Sequence, residues 1–431
     1  MRLQVSPISK LNGSVRIPGS KSQSVRAFLV ATLAKGRSEI HALPSGEDVK
    51  AAEAVAQSLG AQVDTLDCHG HCVALTSQGL PLSISPEMWT ANSGITTRFV
   101  LPILGLSAQP DQSVKVDCGS QMRQRLIQSY LQNLQDLGLK IQESEGGWPL
   151  QVSGQLQGGS VTVEGLTSQY LSGLLLSACC ARQDTILTVH NLNERPYVDM
   201  TLKWLKDQGI RFEHERTATR DRFTVFAGQK YSPIDFTVPG DFSSASTLLA
   251  AGALFKGELL LQGLDMDDPQ GDRRLVEILK EMGVDIQVDS AGLKIRGGKP
   301  LKGLRVDAND IPDMLPTLAV LGTQVEGGIE IVNVPQARFK ETDRIHSMAE
   351  GLRKMGAQVE EKTDGLTVYP GPLQGAELQG YEDHRTIMAL ALAGLLAEGS
   401  TKIDTAEGLN KTYPEFTEHM NALGAKLSLI D

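Results

Sequence analysis

Met282-Gly283-Val284-Asp285-Ile286-Gln287-Val288, then Ser290-Ala291-Gly292, then Leu293-Lys294-Ile295, is the stretch from which the fold is read. It opens as a helix end stopped by a glycine, the residue that adopts a left-handed backbone without a Cβ clash. An alternating apolar and polar run follows, then a turn, then a second such run. That is the pattern of a β-hairpin with one buried face. The opening phrase recurs as Leu59-Gly60-Ala61-Gln62-Val63, Leu137-Gly138-Leu139-Lys140-Ile141, Gln208-Gly209-Ile210-Arg211-Phe212, Met355-Gly356-Ala357-Gln358-Val359 and Leu423-Gly424-Ala425-Lys426-Leu427. Successive glycines stand 78, 71, 74, 73 and 68 residues apart, so six similar units fill the 431-residue chain.

Upstream of each phrase lies another helix, rich in Ala and Leu and opened by polar residues. The runs 28–33, 170–178, 247–254 and 387–396 are so apolar that burial on nearly every side is expected. Each unit is therefore a mixed α/β module of two helices and a small sheet. Six modules in two groups of three predict two similar domains, with helices inside and mixed sheets outside. A chain this long also exceeds the usual single-domain range.

Composition narrows the function. The chain is 41% hydrophobic and 21% charged, ordinary for a globular protein with a large core. Its 41 Lys and Arg against 51 Asp and Glu give a net charge of −10, which argues against nucleic-acid binding. A local cluster of cations can still take a small anionic substrate. The five cysteines (68, 72, 118, 179, 180) are odd in number and thinly spread, which predicts no disulfide framework and a reducing compartment. Residues 1–17 carry no apolar core of a signal peptide and no Arg- and Ser-rich stretch, and the longest apolar runs, 170–181 and 387–397, fall short of a membrane span. No membrane partner and a cytoplasmic location are expected. Cys68-His69-Gly70-His71-Cys72 has zinc-ligand residue types, but four ligands within five adjacent residues at a hairpin tip would be strained, and a plain turn is expected.

The openings of the apolar helices hold the chemistry. They read Pro18-Gly19-Ser20-Lys21-Ser22-Gln23-Ser24, Asn92-Ser93-Gly94 with Arg98, Thr167-Ser168-Gln169, Asp241-Phe242-Ser243-Ser244, Ile311-Pro312-Asp313 and Asp383-His384-Arg385. Lys21, Ser93, Gln169, Ser243, Asp313 and Arg385 stand 72, 76, 74, 70 and 72 residues apart, one phase of every unit. Helix N-termini carry unpaired N–H donors and a partial positive charge, so they attract anions. Ser, Thr and Asp also suit plain N-capping, which is the simpler reading for Ser243 and Ser244 alone. Capping has no use for Lys21, Gln169 or Arg385. Further cations gather at Arg123 and Arg125, at Arg338-Phe339-Lys340-Glu341-Thr342-Asp343-Arg344 and at Asn410-Lys411-Thr412. Lys340 and Arg344, like Ser22 and Arg26, are four apart and share a helical face.

At these residues the sequence resembles the enolpyruvyl transferase family, and within it the EPSP synthases. The resemblance implies an inside-out α/β barrel architecture of two domains, 1–20 with 240–431 and an inserted 21–239, each of three repeated units, with the active site in a cleft that closes on substrate. It implies transfer of the enolpyruvyl group of phosphoenolpyruvate to the 5-hydroxyl of shikimate 3-phosphate, with no metal or organic cofactor, by a monomer. Shikimate 3-phosphate would contact Lys21, Ser22, Arg26, Thr167, Ser168, Gln169, Tyr197, Asp313, Gln336 and Lys340. Phosphoenolpyruvate would contact Lys21, Gly94, Arg125, Gln169, Arg344, Arg385 and Lys411. Asp313 suits a general base, with Glu341 and Lys21 as candidates for moving the other protons.

The family pattern is broken at several places. Ile95 stands where Thr is usual and Phe99 where Pro is frequent, which the resemblance reads as glyphosate tolerance. Glu194 stands where a Ser often touches the substrate phosphate. Either Arg195 compensates its charge or the local match slips, and an enzyme acting on a related phosphorylated alcohol stays open. Gln336 replaces a common Asn. The rival readings are the sister enzyme acting on UDP-N-acetylglucosamine, which carries a reactive Cys before an Arg as Cys118 precedes Arg123, and a non-catalytic anion-binding protein.

Overall fold

A computed structural model describes residues 1–431 except His69. The chain forms two compact units, Met1–Ser20 with Pro239–Asp431, and Lys21–Val238. Each contains three open four-stranded sheets. In Lys21–Val238, one sheet runs Asp235–Thr237, Lys35–Leu43, His71–Gln78, Gln62–Thr65. In every sheet one edge strand pairs parallel with its neighbour and the other two pairs are antiparallel. The repeated module is thus an edge strand, a core helix, a parallel strand, an outer helix and a hairpin. Among the described residues no sheet closes on itself: each unit has its apolar helices inside and three open mixed sheets outside, the inside-out α/β arrangement expected. The short strands explain this, because each sheet is already completed on one face by its own core helix.

The connectivity contains exchanges that spacing alone does not reveal. Gly13–Arg16 pairs with Gly257–Gln262, and Asp235–Thr237 pairs with Lys35–Leu43. The chain therefore leaves one unit after residue 20 and re-enters it at 239, both times between an edge strand and a core helix. Arg2–Val5 supplies a middle strand between Thr401–Ile403 and Leu427–Ile430, so the two ends of the chain complete one sheet.

The six glycines that define the repeat do what their position requires. Gly60, Gly138, Gly209, Gly283, Gly356 and Gly424 all have positive φ, between 68° and 107°. At Gly283 its N–H donates to the Lys280 carbonyl and that of Val284 to the Leu279 carbonyl, which satisfies two of the helix's last carbonyls. The same pair of bonds recurs after Gly60, Gly209, Gly356 and Gly424. The hairpin beyond Gly283 closes with Asp289 opposite Gly292.

The core helices are buried on all sides. Every residue of Gly94–Ile103 and Leu315–Gly322 is buried, and so are all but the last residue of Phe242–Leu254 and His384–Leu396. In Lys21–Leu33 and Ser168–Ala178 the only half-buried positions lie in the first two residues. The outer helices are amphipathic instead. Arg195–Asp207 buries Val198, Met200, Leu202, Trp204 and Leu205 and leaves Lys203 and Asp207 exposed. No helix among the described residues is long and apolar enough to cross a membrane.

The cysteine reading is corrected in one respect. Cys68 and Cys72 are disulfide-bonded, their Cα atoms 6.3 Å apart across the hairpin tip between Gln62–Thr65 and His71–Gln78. A pair four residues apart closes locally and leaves three free thiols, so an odd total excludes nothing. The count therefore gives no support to a reducing compartment. Cys118 and Cys179 are buried and Cys180 half-buried. His69, one of the possible zinc ligands, lies outside the described residues. Among those described, no group of three or more His, Cys, Asp or Glu is arranged to hold a metal ion.

A Cβ at Gly283 would meet nothing within 4 Å, so its φ of +105° is the sole obstacle to a side chain. Gly283→Ala is expected to cost about 1–2 kcal/mol, read as a lower urea midpoint with an unchanged slope.

Candidate active site

All six marker residues stand at the starts of core helices. Lys21 is the first residue of Lys21–Leu33, and Ser93 caps Gly94–Ile103 with its hydroxyl facing the Thr96 N–H. Gln169, Ser243 and Arg385 are second residues of their helices. Asp313 lies in the 3-10 turn Pro312–Met314 that runs into Leu315–Gly322. The capping expectation for Ser243 and Ser244 is corrected. Asp241 is the cap and accepts from both of their N–H groups, while the Ser243 hydroxyl is hydrogen-bonded to Asp272. A carboxylate on the residue just before the helix reaches two donors, which a hydroxyl inside the helix cannot.

In the unit formed by Met1–Ser20 and Pro239–Asp431, the candidate residues converge on one guanidinium. Arg344, 1% exposed, donates from Nε to Asp383 Oδ2 at 2.8 Å, from Nη1 to Asp313 Oδ1 at 2.7 Å and from Nη2 to Glu341 Oε2 at 2.8 Å. Asp383 also caps His384–Leu396, so one carboxylate orients both Arg344 and the helix start that carries Arg385. Arg385 Nε lies 3.9 Å from Asp313 Oδ2 and Lys340 Nζ lies 4.0 Å from Asp313 Oδ1. Arg385 is itself buried, and its Nε and Nη1 have no hydrogen-bond partner among the described residues. Lys411 donates to the Glu382 carbonyl at 3.0 Å, and Gln336 donates to the Asn309 carbonyl at 2.8 Å.

Electrostatics sets the state of the carboxylates. Burial pushes the Asp313 carboxyl up, but the charges of Arg344, Lys340 and Arg385 outweigh it and hold its pKa well below the usual carboxylate range. Burial first, and then the nearby charge of Asp313, raises Asp272 to about 7. Arg344 is held firmly cationic, because its three carboxylates outweigh the cost of burying it. Removing its side chain would strand buried carboxylates at a cost of about 3–5 kcal/mol, so Arg344 is structural as well as a candidate ligand.

In Lys21–Val238 a second set gathers. Lys21 Nζ pairs with Asp48 Oδ2 at 3.0 Å. Arg98 Nη1 donates to Gln169 Oε1 at 2.6 Å and lies over the Tyr170 ring. Arg125 and Arg98 close directly on the first residue of Gly94–Ile103: a Cβ at Gly94 would lie 2.5 Å from Arg125 Nη1 and 2.9 Å from Arg98 Nη1. Two guanidinium groups at a helix N-terminus are an arrangement suited to a carboxylate or phosphate. Arg26 is differently employed. It is 1% exposed and donates to Thr201 Oγ1, the Ser22 carbonyl and the Tyr197 carbonyl, which ties Lys21–Leu33 to Arg195–Asp207. Phe99 is buried with its ring 5.1 Å beneath that guanidinium, and Ile95 is buried one residue after Gly94.

Glu194 does not pair with Arg195, whose Nη1 bonds Asp221 at 2.7 Å. Its carboxylate instead accepts from the Ser168 N–H at 3.2 Å and the Ser168 hydroxyl at 2.8 Å. Thr167 caps the same helix from Oγ1 to the Gln169 N–H. Cys118 is fully buried, and burial together with Asp117 raises its thiol to about 12, outweighing Arg123. It is not a poised nucleophile.

Sequence reasoning missed Asp48 as partner of Lys21, Asp383 as partner of Arg344 and the pair Asp272 and Ser243. Asp383 was visible within the Asp383-His384-Arg385 phrase, where the position before a helix start signals a cap. Asp48 and Asp272 lie outside the phase shared by the markers, and nothing local distinguishes them.

Residues 5–420 match the family EPSP synthase (3-phosphoshikimate 1-carboxyvinyltransferase). The chain is 42% identical over 423 residues to a 3-phosphoshikimate 1-carboxyvinyltransferase of Acetivibrio thermocellus, covering 97% of this chain and 98% of that protein. It is 38% identical over 441 residues to the enzyme of the same name from Methanosarcina mazei, covering 100% and 99%. In fold it is similar to the EPSP synthase structure from Acinetobacter baumannii, with a TM-score of 0.82 over 99% of this chain and 100% of that one at 24% identity. A match that runs through all six repeats and both units, at identities of 38–42%, means that the chain belongs to the EPSP synthase family.

Proposed function

We propose that the protein transfers the enolpyruvyl group of phosphoenolpyruvate to the 5-hydroxyl of shikimate 3-phosphate and releases inorganic phosphate, the sixth step of the shikimate pathway toward aromatic amino acids. The observation that carries this reading is Asp313, an ionised carboxylate ringed by Arg344, Lys340 and Arg385. A protein that only bound anions would need the cations but not a carboxylate among them. The sister reaction on UDP-N-acetylglucosamine calls for a reactive thiol, and the high pKa of Cys118 argues against it.

In this reading Lys21, Ser22, Thr167, Ser168, Gln169, Tyr197, Asp313, Gln336 and Lys340 serve shikimate 3-phosphate, and Arg26 acts by holding Ser22 and Tyr197. Gly94, Arg125, Gln169, Arg344, Arg385, Lys411 and Lys21 serve phosphoenolpyruvate. Asp313 takes the proton of the 5-hydroxyl as its oxygen adds to C2, and Glu341 or Lys21 gives a proton to C3. Loss of a C3 proton then expels phosphate and restores the double bond. With its low pKa the carboxylate of Asp313 is ionised at neutral pH but is a weak base. Two anionic substrates offset the surrounding cations and raise its proton affinity, so the base strengthens only once both are bound. The sign of the linkage follows: the stabilisation from Asp313 is present above the ordinary carboxyl pKa of about 3.9 and is lost as pH falls through its lowered native value. The enzyme works as a cytoplasmic monomer without metal or organic cofactor, and Ile95 with Phe99 confers glyphosate tolerance.

Asp313→Asn is expected to lower kcat by roughly 10²- to 10⁴-fold with KM for both substrates little changed, measured by phosphate release; near-normal turnover would remove Asp313 from the mechanism. Gly94→Ala, which must push Arg125 aside, is expected to raise KM for phosphoenolpyruvate on the order of 10- to 100-fold and to leave KM for shikimate 3-phosphate near its original value. Ile95→Thr combined with Phe99→Pro is expected to lower the glyphosate inhibition constant, and an unchanged constant would refute the tolerance.

A further inference from the structure

Glu194 has an unusual placement for an acidic residue. It is 2% exposed, and its backbone sits in the left-handed region at φ 57°, ψ 40°, a conformation uncommon for a side chain of this kind. It is the residue before Arg195–Asp207, yet its side chain does not cap that helix. The carboxylate reaches the start of a different helix, Ser168–Ala178, and takes both the N–H and the hydroxyl of Ser168. Those two donors, at the positive end of a buried eleven-residue helix, are what a phosphate oxygen would seek. A carboxylate already seated there has two consequences. It shows that the position is complementary to an anionic oxygen, and it means that an incoming phosphate must displace a like charge.

We propose that Glu194 is a specificity-determining residue that occupies the acceptor-phosphate position at Ser168 with its own carboxylate and so sets the affinity for the phosphorylated acceptor. This rests on the reading above in which Ser168 takes the phosphate of shikimate 3-phosphate. The left-handed backbone aims the carboxylate at Ser168, and Thr167 satisfies the next N–H, so the helix start stays capped at Gln169 when Glu194 moves aside. The contact thus acts as an internal competitor.

The test compares the wild-type chain with Glu194→Gln and Glu194→Ser by steady-state phosphate release. Both variants remove the charge, and serine also removes the reach. The expected result is a fall of at least threefold in KM for shikimate 3-phosphate in both, carried in KM rather than kcat, with a matching gain in preference over unphosphorylated shikimate. A smaller fall, or a rise, in variants that melt like the wild type overturns the proposal. Failure of both variants to fold would make Glu194 a structural cap and overturns it as well. If the wild type releases no phosphate from the substrate pair, the proposed reaction fails instead. Calorimetric binding of shikimate 3-phosphate to wild type and Glu194→Gln then still reads the contact, and equal affinities would overturn it.

Discussion

A helix buried on every side must still satisfy the N–H groups of its first turn, and this constraint shapes the whole molecule. Six such helices lie at the centre of their modules, and each begins with groups that cannot be apolar. Ser93, Thr167, Asp241 and Asp383 answer the constraint by capping. Lys21, Gln169, Asp313 and Arg385 stand at the corresponding position of their own modules and are not needed for capping. Polar chemistry has collected where the backbone already required polarity, so a reactive group there adds little further desolvation cost.

The charges gathered at these starts are arranged around a few buried ions. Arg344 illustrates the trade. Three carboxylates make it permanently cationic, and in return it keeps Asp313 ionised inside the protein. Arg385 stands close to the same carboxylate, and its Nε and Nη1 have no hydrogen-bond partner among the described residues. The cluster therefore combines a guanidinium already held by three carboxylates with another whose N–H groups can donate to further anionic oxygens. Around Gly94 the logic is steric, since the absence of a Cβ is what admits two guanidinium groups to a helix N-terminus.

Much of the fold was legible because its signals are local. The glycine after each outer helix must adopt positive φ to release the last carbonyls, and no other residue does so as cheaply, so the repeat survives in the sequence as a spaced glycine. The apolar runs at 170–178 and 387–396 announced burial on all faces, and that is where they lie. The errors came from the choice of partner, near in sequence as well as far. Asp241 rather than Ser243 caps its helix, Cys68 finds Cys72 across a turn, and Glu194 turns to Ser168 instead of being balanced by Arg195. In each case the residue types were plain and the partner was not.

By itself the sequence determined the six-module α/β plan, the burial of one helix in each module and the phase at which functional side chains recur, because helix stops, capping preferences and apolar periodicity act over a few residues. Only the tertiary structure decided which carboxylates surround Arg344, that Arg26 is a brace, and that the chain ends and the segments near 13–16 and 235–237 complete sheets begun elsewhere. Those outcomes depend on which groups meet after the backbone has closed on itself. Coulomb energy and burial are properties of that meeting, not of any one stretch of chain.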